Sequence, residues 1–148
     1  MQNLAQRLED YIHEKIILAR SMQVAVREYR GDSLTLTAPL AANDNHKGTA
    51  FGGSQFALAA LASWGLLMIK LWENDLDGEI VVQEGRIKYL APMADDLILV
   101  CRPADPKGLA DFVRTYQRKE VARIELEAEI HSGGRKAMEF RGQFVAGV

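Results

Sequence analysis

The sequence is poor in cysteine, histidine and net charge, and each shortage removes a class of function. Cys101 is the only cysteine among 148 residues, so an intrachain disulfide is excluded. Flanked by Leu99 and Val100, it reads as a buried strand thiol and not as a nucleophile. The three histidines, His13, His46 and His131, are scattered without ligand spacing, and no metal site is expected. A formal charge of -2 argues against a nucleic-acid binder, which would be clearly basic. The stretch Met1–Arg7 has no basic region followed by an apolar core, so a cytoplasmic location is the expectation. Internal repeats and low-complexity segments are absent.

The most telling absence is of charge between Phe56 and Ile69, where only Ser63 and Gly65 interrupt the hydrophobic side chains. A helix that is apolar all round must be covered on all sides. The uncharged run is too short for a membrane span, which needs about 18 such residues. A buried central helix is expected, about 30 Å long from Gly53 to Glu73 at ~1.5 Å per residue.

What remains is an ordinary globular composition, 48% hydrophobic and 26% charged, expected to form one domain over residues 1–148. Residues 101–148 carry 9 Lys/Arg and 7 Asp/Glu, against 9 and 13 in residues 1–100, so the last third is mildly basic. Leu4, Leu8, Tyr11 and Ile12 recur at helical spacing behind Asn3, which predicts an amphipathic helix over about residues 3–14. His13 belongs to that helix as a structural or surface residue. Met22–Tyr29 and Leu34–Thr37 alternate around the turn Arg30-Gly31-Asp32-Ser33 and predict a hairpin. After the buried helix, Glu79–Leu90 and Leu97–Cys101 read as strands, and Gly85 marks a bulge or a close backbone approach. A short helix fits Leu109–Lys119. Ile124, Leu126, Ala128 and Ile130 alternate with Arg123, Glu125, Glu127 and Glu129, a strand with one wet face. Met138, Phe140, Gly142 and Phe144 alternate in the same way after the turn Ser132-Gly133-Gly134. The whole is an α+β domain, an antiparallel sheet wrapped around a long helix.

Chemistry is expected where the central helix begins. Gly52 and Gly53 leave the backbone uncovered, and Ser54 is the expected N-cap. The first amides of a helix lack internal partners and its macrodipole is positive there, so a carbonyl oxygen gaining negative charge is stabilised. A glycine turn that merely eases entry into a crowded helix is the other reading of the same spacing.

Element order, together with Asn45-x-x-Gly48-Thr49-x-x-Gly52-Gly53, resembles the hot-dog fold of acyl-thioester enzymes. Within it, the chain is most similar to the thioesterase-like domain of the YiiD C-terminal type. The resemblance spans Asn43-x-Asn45-His46-Lys47-Gly48-Thr49-Ala50-Phe51-Gly52-Gly53-Ser54, Tyr89-Leu90-x-Pro92 and Phe140-x-Gly142-x-Phe144. It implies a homodimer, or a dimer of dimers, with an acyl thioester of coenzyme A or of a carrier protein bound at the interface. No separate cofactor is implied; coenzyme A or phosphopantetheine enters as part of the substrate. The resemblance also implies that the Gly52 amide polarises the thioester carbonyl and that Asn45 contributes to the site.

Two positions depart from many relatives: Phe51 stands for a histidine, and Ala60, seven residues after Gly53, for a carboxylate. Any general base must then be Asp44, His46 or Glu84. Members resembling this domain are linked to malonyl-carrier-protein decarboxylation, which needs hydrogen-bond donors for an enolate and no base; Asn45 with the Gly52 and Gly53 amides would supply them. The expected function is thus hydrolysis or decarboxylation of a malonyl-type thioester, and the alternative is an acyl-binding sensor without turnover. Asn43, Phe51, Ser54 and Gln55 are expected to line the substrate site, with Glu84, Arg86 and Lys88 from the strand. Arg86, Lys88, Arg114 or Arg118 would meet a phosphate or an acidic carrier.

Overall fold

The structure is a computed structural model and describes residues 3–147. Six strands form one antiparallel sheet: β1 (Ala25–Tyr29), β2 (Leu34–Ala38), β3 (Glu79–Tyr89), β4 (Leu97–Pro103), β5 (Val121–Ser132) and β6 (Arg135–Gly147). Their order across the sheet is β1-β2-β4-β5-β6-β3. The helices are α1 (Leu4–Lys15), α2 (Ile17–Ser21), α3 (Gly52–Glu73) and α4 (Gly108–Lys119), with a 3-10 turn at Leu40–Ala42.

Alternation decides which face each strand shows to α3. Ile124, Leu126, Ala128 and Ile130 of β5 are buried, as are Met138, Phe140 and Phe144 of β6, and the intervening Glu and Arg side chains point outward. The expected wet-faced strand is therefore present, in spite of its helix-favouring Glu, Leu and Ala. Gly85 is a close approach: a β-carbon there would lie 2.8 Å from the Phe56 ring. The bulge falls just before it, between Val82 and Glu84.

The N-terminal helix is capped as expected, Asn3 Oδ1 accepting from the Ala5 amide at 2.8 Å. It docks on β1 through polar side chains: Glu9 accepts from the Val26 amide at 2.7 Å, and His13 Nε2 donates to the Val24 carbonyl at 2.6 Å. His13 thus has a structural role. Cys101 is fully buried beside Ser63, at 3.5 Å, and burial pushes its thiol up to about 12.

The central helix departs from expectation in two ways. It runs 22 residues, long and apolar enough to cross a membrane, yet most of its apolar stretch is buried within the protein. Nor is it covered on every side. Ala57, Ala60, Leu61 and Trp64 stay partly open and, with Leu18 and Val82, line an apolar groove of about 440 Å³. The neighbouring strand, β3, is an edge strand whose Val81 and Val82 are exposed.

Candidate functional site

The residues before α3 form a loop that closes on itself. The Phe51 amide donates to the Asn43 carbonyl at 2.8 Å, and Asp44 pairs with Ala50 in a short bridge. Inside the loop the Asn45 side chain is the organiser: its Oδ1 accepts from the Lys47 and Thr49 amides at 2.9 and 3.1 Å, and its Nδ2 donates to Thr49 Oγ1 at 2.8 Å. Gly48 completes the turn at φ 75°, a region open to glycine and costly for other residues. The Ala50 amide ties the loop to the Met93 carbonyl at 2.9 Å.

Asn43 and Gln55 hold the loop from beneath. Asn43 is 2% exposed and donates to the Met22 and Pro39 carbonyls at 2.9 and 2.8 Å. Gln55 is 5% exposed and donates to the Ala50 carbonyl at 3.1 Å. Both were expected to line the substrate site; instead they are buried loop supports. Their carbonyl oxygens are the two buried side-chain atoms without a hydrogen-bond partner among the described residues, so this motif is the least satisfied polar spot in the fold.

The helix begins at Gly52, two residues before Ser54. Phe51 is the N-cap, in extended conformation at φ -67° and ψ 133°, and its side chain offers the helix no hydrogen bond. The expectation that Ser54 caps the helix is thus corrected, because both glycines take helical geometry and belong to the first turn. The consequence is chemical. The Phe51 amide is spent on Asn43 and the Gln55 amide on Phe51 at 3.1 Å, while the Gly52, Gly53 and Ser54 amides between them have no partner among the described residues. Open amides at the positive end of a 22-residue helix favour an oxygen carrying negative charge.

Two aromatic rings stand close against those glycines. A β-carbon on Gly52 would lie 3.2 Å from Tyr89, and one on Gly53 would lie 2.5 Å from Phe51. Phe51 and Tyr89 are 53% and 52% exposed. The Tyr89 hydroxyl donates to the Gly52 carbonyl at 2.8 Å. Burial holds the Tyr89 phenol above its ordinary range, so it remains a neutral donor. Along the helix, Gly53, Ala57, Ala60 and Trp64 follow at helical spacing, so the open amides stand at the head of the stripe that lines the apolar groove.

Comparison with known proteins identifies the family. One family, described as "Putative thioesterase (yiiD_Cterm)", matches residues 5–147. The chain belongs to that family. A protein of unknown function from Chlorobaculum tepidum is 34% identical, with 97% of this chain and 93% of that chain covered and a TM-score of 0.90. A structure described as "the putative thioesterase from Shewanella oneidensis" is 29% identical over all of both chains, with a TM-score of 0.89. A thioesterase from Haemophilus influenzae shares 12% identity over 99% of this chain and 92% of its own, with a TM-score of 0.74, a likeness of fold alone. The fold is the hot-dog thioesterase fold that the motifs implied.

In this YiiD-type thioesterase domain, three expected site residues lie elsewhere. Glu84, Arg86 and Lys88 alternate with Gly85, Ile87 and Tyr89, and it is the second set that faces the helix. The first set therefore stands on the outer face of the sheet, away from the helix start, and Glu84 is not brought to the open amides. Arg86 pairs there with Glu84 at 3.6 Å and Lys88 with Glu139 at 3.9 Å. These are exposed pairs of the kind worth little to stability. Asp44 and His46 remain on the loop, both exposed. Tyr89 is the contact that the sequence reading missed, and its signal was the period of two running from Gly85 through Ile87.

Proposed function

We propose that this thioesterase-family chain acts on acyl thioesters of coenzyme A or of a phosphopantetheine carrier, at the start of α3, as a homodimer. The observation that carries the reading is the run of open Gly52, Gly53 and Ser54 amides at the head of an apolar stripe. An acyl group lying along Ala57, Ala60 and Trp64 brings its thioester carbonyl to those amides. One such donor is worth roughly 3–4 kcal/mol when charge develops on the oxygen. Asn45 holds the loop and keeps one side-chain N–H for the substrate, its other being given to Thr49.

Between the two reactions of the family reading, decarboxylation of a malonyl-type thioester suits this site better. The stripe carries Ala60 where hydrolysis would use a carboxylate, and Glu84 faces away. In decarboxylation the electrons of the carboxylate carbon–carbon bond pass into the thioester enolate as carbon dioxide leaves. The open amides hold the enolate oxygen, and a solvent proton returns to carbon. Phe51 beside the amides disfavours keeping a carboxylate charge in the pocket. The dimer is supported by the exposed edge strand β3 and the half-open groove, surfaces that a second copy would cover.

The test is to incubate the protein with malonyl and with palmitoyl coenzyme A and follow acetyl coenzyme A against free thiol. Acetyl product from the malonyl ester alone supports decarboxylation. Free thiol from both esters, without acetyl product, overturns it in favour of hydrolysis. Tight binding with no turnover of either would make the domain a sensor.

A further inference from the structure

The peptide unit between Gly52 and Gly53 is gripped from outside its own helix. Tyr89 stands at the end of β3, where its residue pairs with Met138 of β6, so its place is set by the sheet. From there its hydroxyl reaches the Gly52 carbonyl at 2.8 Å, and its ring packs against the Gly52 Cα, at the 3.2 Å where a β-carbon would intrude. No peptide bond in the described residues is cis. The Gly52 carbonyl and the Gly53 N–H therefore lie in one plane and point in opposite directions. Whatever orients that carbonyl also aims that amide.

An external hold is needed at this step. Glycine has the widest backbone freedom of any residue, and the first turn of a helix is where helices fray. A Gly-Gly pair with no side-chain cap combines both weaknesses. In the helix ladder the Gly52 carbonyl serves the amide four residues on, and its second lone pair is the one that Tyr89 takes. A hydrogen bond received by a carbonyl also polarises the N–H of the same peptide, by about 10–30% of the bond strength. The Phe51 ring packs against Gly53, the second residue of the same step.

Resting on the reading of these amides as the binding site for a thioester oxygen, we propose that Tyr89 is the positioning residue of that site. Its hydroxyl acts through the Gly52 carbonyl to fix and polarise the Gly53 N–H. Tyr89 itself forms no bond to the reacting atoms in this scheme. A neutral phenol suits the role, since a phenolate has no proton to give.

Tyr89→Phe tests it, because the ring that seats on Gly52 is kept and only the hydroxyl is lost. The expected result is a kcat two- to tenfold lower, the worth of about one neutral hydrogen bond, with KM changed less than twofold. In ¹H–¹⁵N spectra the Gly53 amide proton should move upfield by more than those of Ala57 and Leu58, further down the same helix. An active wild type whose Tyr89→Phe variant keeps both its kcat and its Gly53 resonance overturns this proposal alone. A wild type that turns over neither malonyl nor long-chain thioester, whether or not it binds them as a sensor, overturns the reading of the site as catalytic, and this proposal falls with it.

Discussion

The Phe56 ring stands against Gly85, its Cζ 2.8 Å from the point that a β-carbon on that glycine would occupy. Phe140 lies 3.1 Å from the same point and meets Phe56 edge-on, with ring centroids 5.5 Å apart. This is where the central helix touches the edge strand. Gly85→Ala should therefore overpack the contact, at a cost of about 1–3 kcal/mol. A thermal melt should fall by roughly 3–10 °C for a chain of this size.

Asn45 separates loop-holding from chemistry. Asn45→Asp keeps the acceptor for the Lys47 and Thr49 amides and removes the amide donor. It should leave the melting temperature within a few degrees while thioester turnover drops about a hundredfold or more, the scale of one lost oxyanion donor at ~2.7–4 kcal/mol. Thr49→Val removes only the partner of that donor and should reduce turnover far less. Equal turnover in Asn45→Asp and wild type would confine Asn45 to the loop.

The strands and the central helix were legible because alternation and the uncharged run are set by burial, which sequence carries directly. The helix start was legible as a place and not as a geometry. Ser54 has the chemistry of a cap, but the glycine pair could enter the helix at no steric cost, so the boundary moved to Gly52. Asn43 and Gln55 looked like ligand contacts for the reason that makes them good supports, an amide that donates to carbonyls. Glu84, Arg86 and Lys88 fall on the outer face because the period of two, and not residue type, decides which side of the sheet a strand residue takes. The open stripe on α3 was invisible, since an apolar helix reads the same whether the protomer or a second copy covers it.

That stripe predicts an assembly. Val82 is half exposed on the edge strand and lines the groove. Val82→Lys should shift sedimentation equilibrium from twice the 16.5 kDa chain mass toward the single mass, and turnover should fall with it. A wild type that sediments as a monomer while fully active would remove the dimer from the proposal.

Alkaline stability should carry the mark of Cys101. Its thiol rises from an ordinary 9.0 to about 12, burial being the main cause. Below pH 9 folded and unfolded chains both hold the proton, and the full stability is present. Above it the unfolded chain ionises first and binds fewer protons, so stability falls as pH rises toward 12. Tyr29 adds to the same trend, held above the phenol range by burial and then by its bond to Glu73. Cys101→Ala should start from a lower melting temperature, through its small cavity, and lose less between pH 9 and 12. Native protein at pH 8 should resist iodoacetamide until unfolded.

Clamping Phe51 to Asn43 turns the excursion between them into a detachable piece of the architecture. Displacements at its tip, around Lys47 and Gly48, reach the first turn of α3 only through Thr49 and Ala50, where the clasp, the Met93 carbonyl and the Gln55 side chain hold the chain. A proline at residue 51, which cannot donate the clasp, should loosen the piece at its neck and leave Ala50 moored to Met93 and Gln55, so the turn around Asn45 would outlast its anchor.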